Sequence, residues 1–195
     1  VHSLILSANH PDPLASLPSR KKEKERIVNT VTRHLKAGKQ PILLANPLST
    51  AQEITKLLTE AEIPVSVHAT IHRVNRVYED FGVELGNYSL YSKKRPKKNR
   101  ALIFPFVSNR RQGFTTPLPD GPVLMINHTS EEILGPSALR EAQNTFYLGL
   151  TCDGPELRDV ISVVGPKELF FAGPYAKRYS EAFKSLNTKP QPLLE

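Results

Sequence analysis

Three stretches of this 195-residue chain are continuous apolar runs of strand length: QPILLANP (40–47), RALIFPFV (100–107) and GPVLMIN (121–127). A strand with one wet face alternates apolar and polar residues. A run without alternation is buried on both faces, as happens in a parallel sheet covered by helices. Between such runs lie segments with helical periodicity. SRKKEKERIVNTVTRHLKAGK (19–39) carries Ile27, Val28, Val31 and Leu35 on one stripe, with Ser19 placed to cap it and Gly38 to end it. LSTAQEITKLLTEAEI (48–63) and IHRVNRVYEDFGV (71–83) read as two further helices, with the strand PVSVHA (64–69) between them. HSLILSA (2–8), NTFYLGLT (144–151) and KELFFAG (167–173) read as strands, GPELRDVISVVG (154–165) and PYAKRYSEAFKSL (174–186) as helices, and the tail NTKPQPLLE holds one last short strand. Strands alternating with helices predict an α/β fold, with a largely parallel sheet and helices on both faces.

The charge is uneven. Net charge is +7, and SKKRPKKNR (92–100) holds six basic residues and no acid. With no periodicity, that segment is expected to be an exposed loop. Two readings apply to it. A solvated loop is one. The other is a phosphate-binding face, since clustered Lys and Arg displace counterions from a polyanion. On the second reading Lys93, Lys94, Arg95, Lys97, Lys98 and Arg100 contact phosphates, supported by Arg110 and Arg111 of SNRRQG. Tyr88 and Tyr91 precede the run and either stack on bases or pack under their own loop.

No apolar run approaches the roughly 20 residues that span a bilayer, so no membrane partner is expected. Cys152 is the single cysteine. No internal disulfide can form, and a reducing, cytoplasmic setting is expected. KKRPKK (93–98) has the composition of a nuclear address, should the source be eukaryotic. Val1 in place of Met suggests a processed or cut N-terminus.

Few residues point to catalysis. Thr50 and Glu53, like Ser49 and Gln52, have capping-box spacing at a strand-to-helix junction. Such a junction also offers free N–H groups to an anion, but no glycine-rich loop is present. His68 and His72 would share a helix face, as a zinc site needs, only if both lay on the helix; the strand PVSV before His68 argues otherwise. Asp12 reads as a turn residue, Asp153 as the cap of the following helix, and Cys152 as a small apolar filler.

Four segments together resemble the β-CASP nucleases, the RNA- and DNA-processing branch of the metallo-β-lactamase superfamily. They are HSLILSANHPD, RKKEKERIVNTVTRHLKAGKQPILLANPLSTAQEITKLL, IPVSVHATIHRVNRVYEDFGV and YLGLTCDGPELRDVISVVGPKELFFAGPYAKRYSEAF, in the family's order. The resemblance implies three parts. Residues 1–12 are a returning strand of the metallo-β-lactamase-like part, 13–128 a β-CASP-like α/β domain, and 129–195 the closing metallo-β-lactamase-like segment. Family members use two zinc ions to activate the attacking water. The family's acidic residue falls here on Ser7, the histidine of its Ser-Asp-His motif on Asp153, and the histidine of its His-Gly motif on Ala172, with Gly173 kept. No catalytic or metal-ligating residue and no cofactor is therefore expected. The leading expectation is a catalytically degenerate, nuclease-like protein that binds RNA or single-stranded DNA or supports an active nuclease subunit. Two alternatives stand beside it: a zinc-dependent nuclease whose N-terminal metal-binding half is not in this chain, and an α/β protein-interaction domain.

Overall fold

The structure is a computed structural model that describes residues 1–16, 19–106, 118–127, 142–148, 152–186 and 190–193. The fold is α/β, and among the described residues every strand pairing is parallel. Two compact units divide the chain. One joins Val1–Pro18 to Gly149–Glu195; the other is Ser19–Leu148. These divisions fall at 18/19 and 148/149, against the expected 12/13 and 128/129. The strand β7 (Ala142–Tyr147) pairs with β6 (Val123–Asn127), so it stays with the larger sheet and not with the closing segment.

The larger unit holds a six-stranded sheet in the order β4-β3-β5-β2-β6-β7. Its other strands are β2 (Ile42–Ala45), β3 (Val65–Val67), β4 (Tyr88–Leu90) and β5 (Ala101–Pro105). Every residue of β2 and β5 is buried, which is why these strands read as unbroken apolar runs. Successive side chains point to opposite faces. Leu43, Ala45, Val65, Val67 and Ile103 join one apolar cluster with Ile27 and Val31 of α1 (Arg20–Lys36), Ile54 and Leu58 of α2 (Thr50–Glu60) and Ile71 of α3 (Ala69–Asp80). Ile42, Leu44, Leu102, Phe104 and Val123 form a second cluster on the opposite face, covered by Tyr91, Phe106 and Leu118. Among the described residues, the three helices of this unit thus share one face, and loop residues cover the other.

Helix α1 ends as its sequence predicts. Gly38 takes φ +70°, its N–H donates to Leu35 O, and the N–H of Lys39 donates to His34 O, a Schellman closure. Strand β4 carries no sequence signal of its own. It is three residues long, Tyr-Ser-Leu, at the sheet edge.

The smaller unit is a three-stranded sheet in the order β1-β8-β9, from β1 (Ser3–Ser7), β8 (Glu168–Ala172) and β9 (Pro190–Pro192). Helices α4 (Gly154–Val164) and α5 (Ala176–Ala182) give Leu157, Ile161, Ala176 and Tyr179 to its core, with Phe171 of β8 and Phe183. The Phe171 ring lies 5.3 Å from Tyr179 and 5.5 Å from Phe183. Two prolines are tolerated in β9 because it is an edge strand.

Candidate nucleic-acid interface

Strand β4 lies outside β3, and β5 lies inside it, so the chain must cross β3 between residues 90 and 101. The segment that crosses is the basic one. Tyr91 anchors its start, its ring 5.1 Å edge-on from Phe104 in the second apolar cluster. Near its end the Gln40 side-chain amide donates to Lys97 O at 2.8 Å. Residues 92–99 are all exposed. Lys93, Lys94, Arg95, Lys97 and Lys98 have no ion-pair partner among the described residues. Five unpaired cations on one exposed crossover make a polyanion surface.

Arg100 differs from the other five. It is half-buried, and one guanidinium nitrogen donates to Ser89 Oγ at 2.9 Å and Ser66 Oγ at 3.3 Å. Ser66 and Ser89 face each other in register across β3 and β4, and their hydroxyls are 2.9 Å apart. In the sequence Arg100 is one of six equivalent cations, and neither serine stands out. The alternation of Val65-Ser66-Val67 signals that Ser66 leaves the helix-covered face; nothing signals Ser89. Arg110 and Arg111 lie outside the described residues.

The tyrosines pack instead of standing free. Tyr91 packs against Phe104, as above. Tyr88 meets the His72 ring edge-on at 5.8 Å, and burial beside Glu79 pushes its phenol up to about 12. His68 ends the strand and caps α3 through its ring nitrogen, which accepts from the Thr70 N–H at 3.2 Å. The two histidines therefore serve different packing contacts and form no ligand pair.

Capping by Thr50 with Glu53 does not occur. Glu53 is drawn off by Arg20 at 2.7 Å and Lys24 at 2.8 Å, which hold its carboxyl below the usual range against the opposing effect of burial. Ser49 makes no side-chain cap, and Gln52 donates to Pro47 O and Asn75 Oδ1. The first N–H groups of α2 are occupied as well: Thr50 donates to Leu48 O and Ala51 to Asn46 O. Little is left there for an anion.

Ser7 and Ala172, the positions where the resemblance sought an acid and a histidine, are register partners on β1 and β8. The Ala8 N–H then donates to Ala172 O at 2.7 Å, and Gly173 turns the chain away at φ +122°. Asp153 caps α4 in a full capping box: its Oδ1 accepts from Glu156 N at 2.9 Å while Glu156 accepts from Asp153 N at 3.2 Å. Asp12 Oδ1 accepts from the Leu14 N–H at 2.9 Å, closing a turn. Cys152 is exposed, not packed as filler, and partial burial of the thiol with Glu156 nearby pushes its pKa up. That is the reverse of an activated nucleophile. Among the described residues, no three His, Cys, Asp or Glu side chains come together to hold a metal. A hydroxyl, a methyl and a carboxylate committed to a helix cap do not fit a zinc pair.

The fold and the site define a parallel α/β protein with a basic, unpaired crossover on its larger sheet. No family model matches the chain. It is similar to a probable DNA ligase of Opitutus terrae (strain DSM 11246 / JCM 15787 / PB90-1), 23% identical over 146 residues, which make up 74% of this chain and 14% of that protein. Among solved structures it is similar to a protein of unknown function from Enterococcus faecalis V583, with TM-score 0.62, 12% identity, and coverage of 100% of this chain and 50% of that one. The chain thus spans about a seventh of the ligase and half of the structural neighbour. Among the described residues no helix is long and apolar enough to cross a membrane.

Proposed function

We propose that this chain binds RNA or single-stranded DNA through the crossover 92–100, on a β-CASP-like scaffold whose hydrolytic centre is degenerate. The carrying observation is the set of five exposed cations without carboxylate partners among the described residues, on a segment held by Tyr91 and Gln40. A cation on a solvated loop that serves only solubility is commonly mixed with acids; this run has none. The similarity to a protein named as a DNA ligase supports a nucleic acid over a protein partner. The degenerate reading rests on Ser7 and Ala172 standing opposite each other with no side chain able to ligate or protonate. Support of an active nuclease subunit is compatible with the same surface.

The test joins binding to turnover. End-labelled single-stranded RNA and DNA are titrated at two salt concentrations, then incubated with zinc and with manganese. The expected result is binding that weakens steeply with salt, without cleavage. Affinity indifferent to salt overturns the electrostatic reading. Metal-dependent cleavage overturns the degenerate one.

A further inference from the structure

A cavity of about 360 Å³ opens at the feet of β3 and β4, lined by Thr59, Glu62, Tyr88, Ser89, Lys97 and Arg100 among others. Its size is at the lower end of ligand pockets, about 300–1,000 Å³. Arg100 supplies the unusual feature. Its guanidinium is fixed by Ser66 and Ser89, and among the described residues its buried Nε has no hydrogen-bond partner and the side chain has no carboxylate partner. A half-buried cation with a vacant donor is costly unless an anion completes it. The two serine hydroxyls remove rotational freedom from the guanidinium before any ligand arrives, which lowers the cost of binding. Lys97, exposed on the same cavity, adds a second positive charge. Glu62 is the single carboxylate among the lining residues, so they carry a net positive charge.

We propose that this cavity seats one phosphate group, held by the Arg100 guanidinium and by Lys97. The proposal rests on the reading of the crossover as a nucleic-acid surface and sharpens it. Lys93, Lys94, Arg95 and Lys98 attract the strand without fixing it, while Arg100 and Lys97 take one phosphate in a defined position. Guanidinium and phosphate are matched for this task, because N–H donors in a planar fork meet the oxygens of a tetrahedral anion.

The experiment follows the side-chain Nε–Hε resonance of Arg100 in the ¹⁵N-labelled chain. One arm adds inorganic phosphate, a second adds a short single-stranded oligonucleotide, and a control adds chloride at equal ionic strength. The expected result is a saturable shift with phosphate and with the oligonucleotide, absent with chloride. Lys97→Ala weakens phosphate binding several-fold, and Glu62→Gln strengthens it; both positions are exposed, so both variants fold. A resonance that moves no more with phosphate than with chloride overturns the seat. If the oligonucleotide binds with steep salt dependence but leaves the resonance in place, the proposed function stands and the seat falls. If phosphate shifts it and the oligonucleotide does not bind, the seat stands for free phosphate groups and the proposed function falls.

Discussion

The Glu23 carboxylate accepts the backbone N–H of Tyr147 at 2.9 Å with one oxygen, and with the other it accepts from Arg26 at 2.8 Å. Arg26 itself donates to Thr145 O and lies 4.3 Å over the Phe146 ring. One carboxylate on α1 therefore holds the edge strand β7 through its backbone. Glu23 is 4% exposed, so its loss strands a buried donor. Glu23→Leu is expected to destabilise the larger unit by about 1–3 kcal/mol, the cost of an unsatisfied buried group. Glu23→Gln keeps an acceptor and costs less. Denaturant unfolding of the two variants side by side measures the difference.

The crossover should reveal itself in the salt dependence of binding. Neutralising Z phosphates on a single strand gives a slope of log K against log salt of about −0.7Z. Replacing Lys93, Lys94, Lys97 and Lys98 together by Gln is expected to flatten that slope by more than half and leave the thermal midpoint of the protein in place. A slope unchanged by the fourfold variant places the polyanion contact elsewhere.

Asp153 separates structural from chemical loss. Asp153→Ala removes the cap and is expected to destabilise the smaller unit by about 1 kcal/mol, whereas Asp153→Ser restores an acceptor and is nearly neutral. With zinc or manganese present, both variants and the parent are expected to show the same absence of phosphodiester turnover. Activity that survives in the parent and dies in Asp153→Ser would make the carboxylate a reacting group.

Gly173 is constrained twice. Its φ is +122°, and a Cβ there would lie 2.9 Å from Asn9 Oδ1 and 3.1 Å from Ala8 O. Gly173→Ala is expected to cost about 1–3 kcal/mol through backbone strain, with further cost from displacing Asn9. Hydrogen exchange at Ala8, whose N–H donates to Ala172 O, reads the loosening directly.

Two imidazoles set a pH dependence. Burial, with Arg33 and Lys39, holds His34 below its ordinary value; burial, with Arg73, does the same to His68. The folded protein prefers both neutral, so the unfolded chain binds more protons in acid. Stability is fully present above the unfolded histidine value of about 6.5 and falls as pH drops through the lower folded values. His68→Asn keeps a capping acceptor and cannot titrate. Its denaturation midpoint should vary less between pH 7.5 and pH 5 than that of the parent.

What the sequence disclosed follows from the range of each signal. Doubly buried strands announce themselves locally, because Leu43 and Leu44 each enter a core, one on either side of the sheet. The Asp153 cap was legible for the same reason, since both halves of the box lie within DGPE. Thr50 and Glu53 have the same spacing and failed, because Arg20, 33 residues away, claimed Glu53. Spacing cannot reveal a distant competitor. Arg100 was visible as charge but not as a distinct group. Its character comes from Ser66 and Ser89, brought together only by the pairing of β3 with β4. That edge strand is too short to carry a pattern.

The pairing of β1 with β8 joins residues 165 positions apart, Ser3 with Glu168. During synthesis β1 emerges before the six-stranded sheet and its partner β8 after it, while that sheet can close on contacts of its own. Loop-closure entropy rises only as the logarithm of length, so a finished inner sheet that brings the two ends near each other shortens the effective search. The smaller unit should therefore be the slower to fold, with its rate set by how soon the larger one has formed.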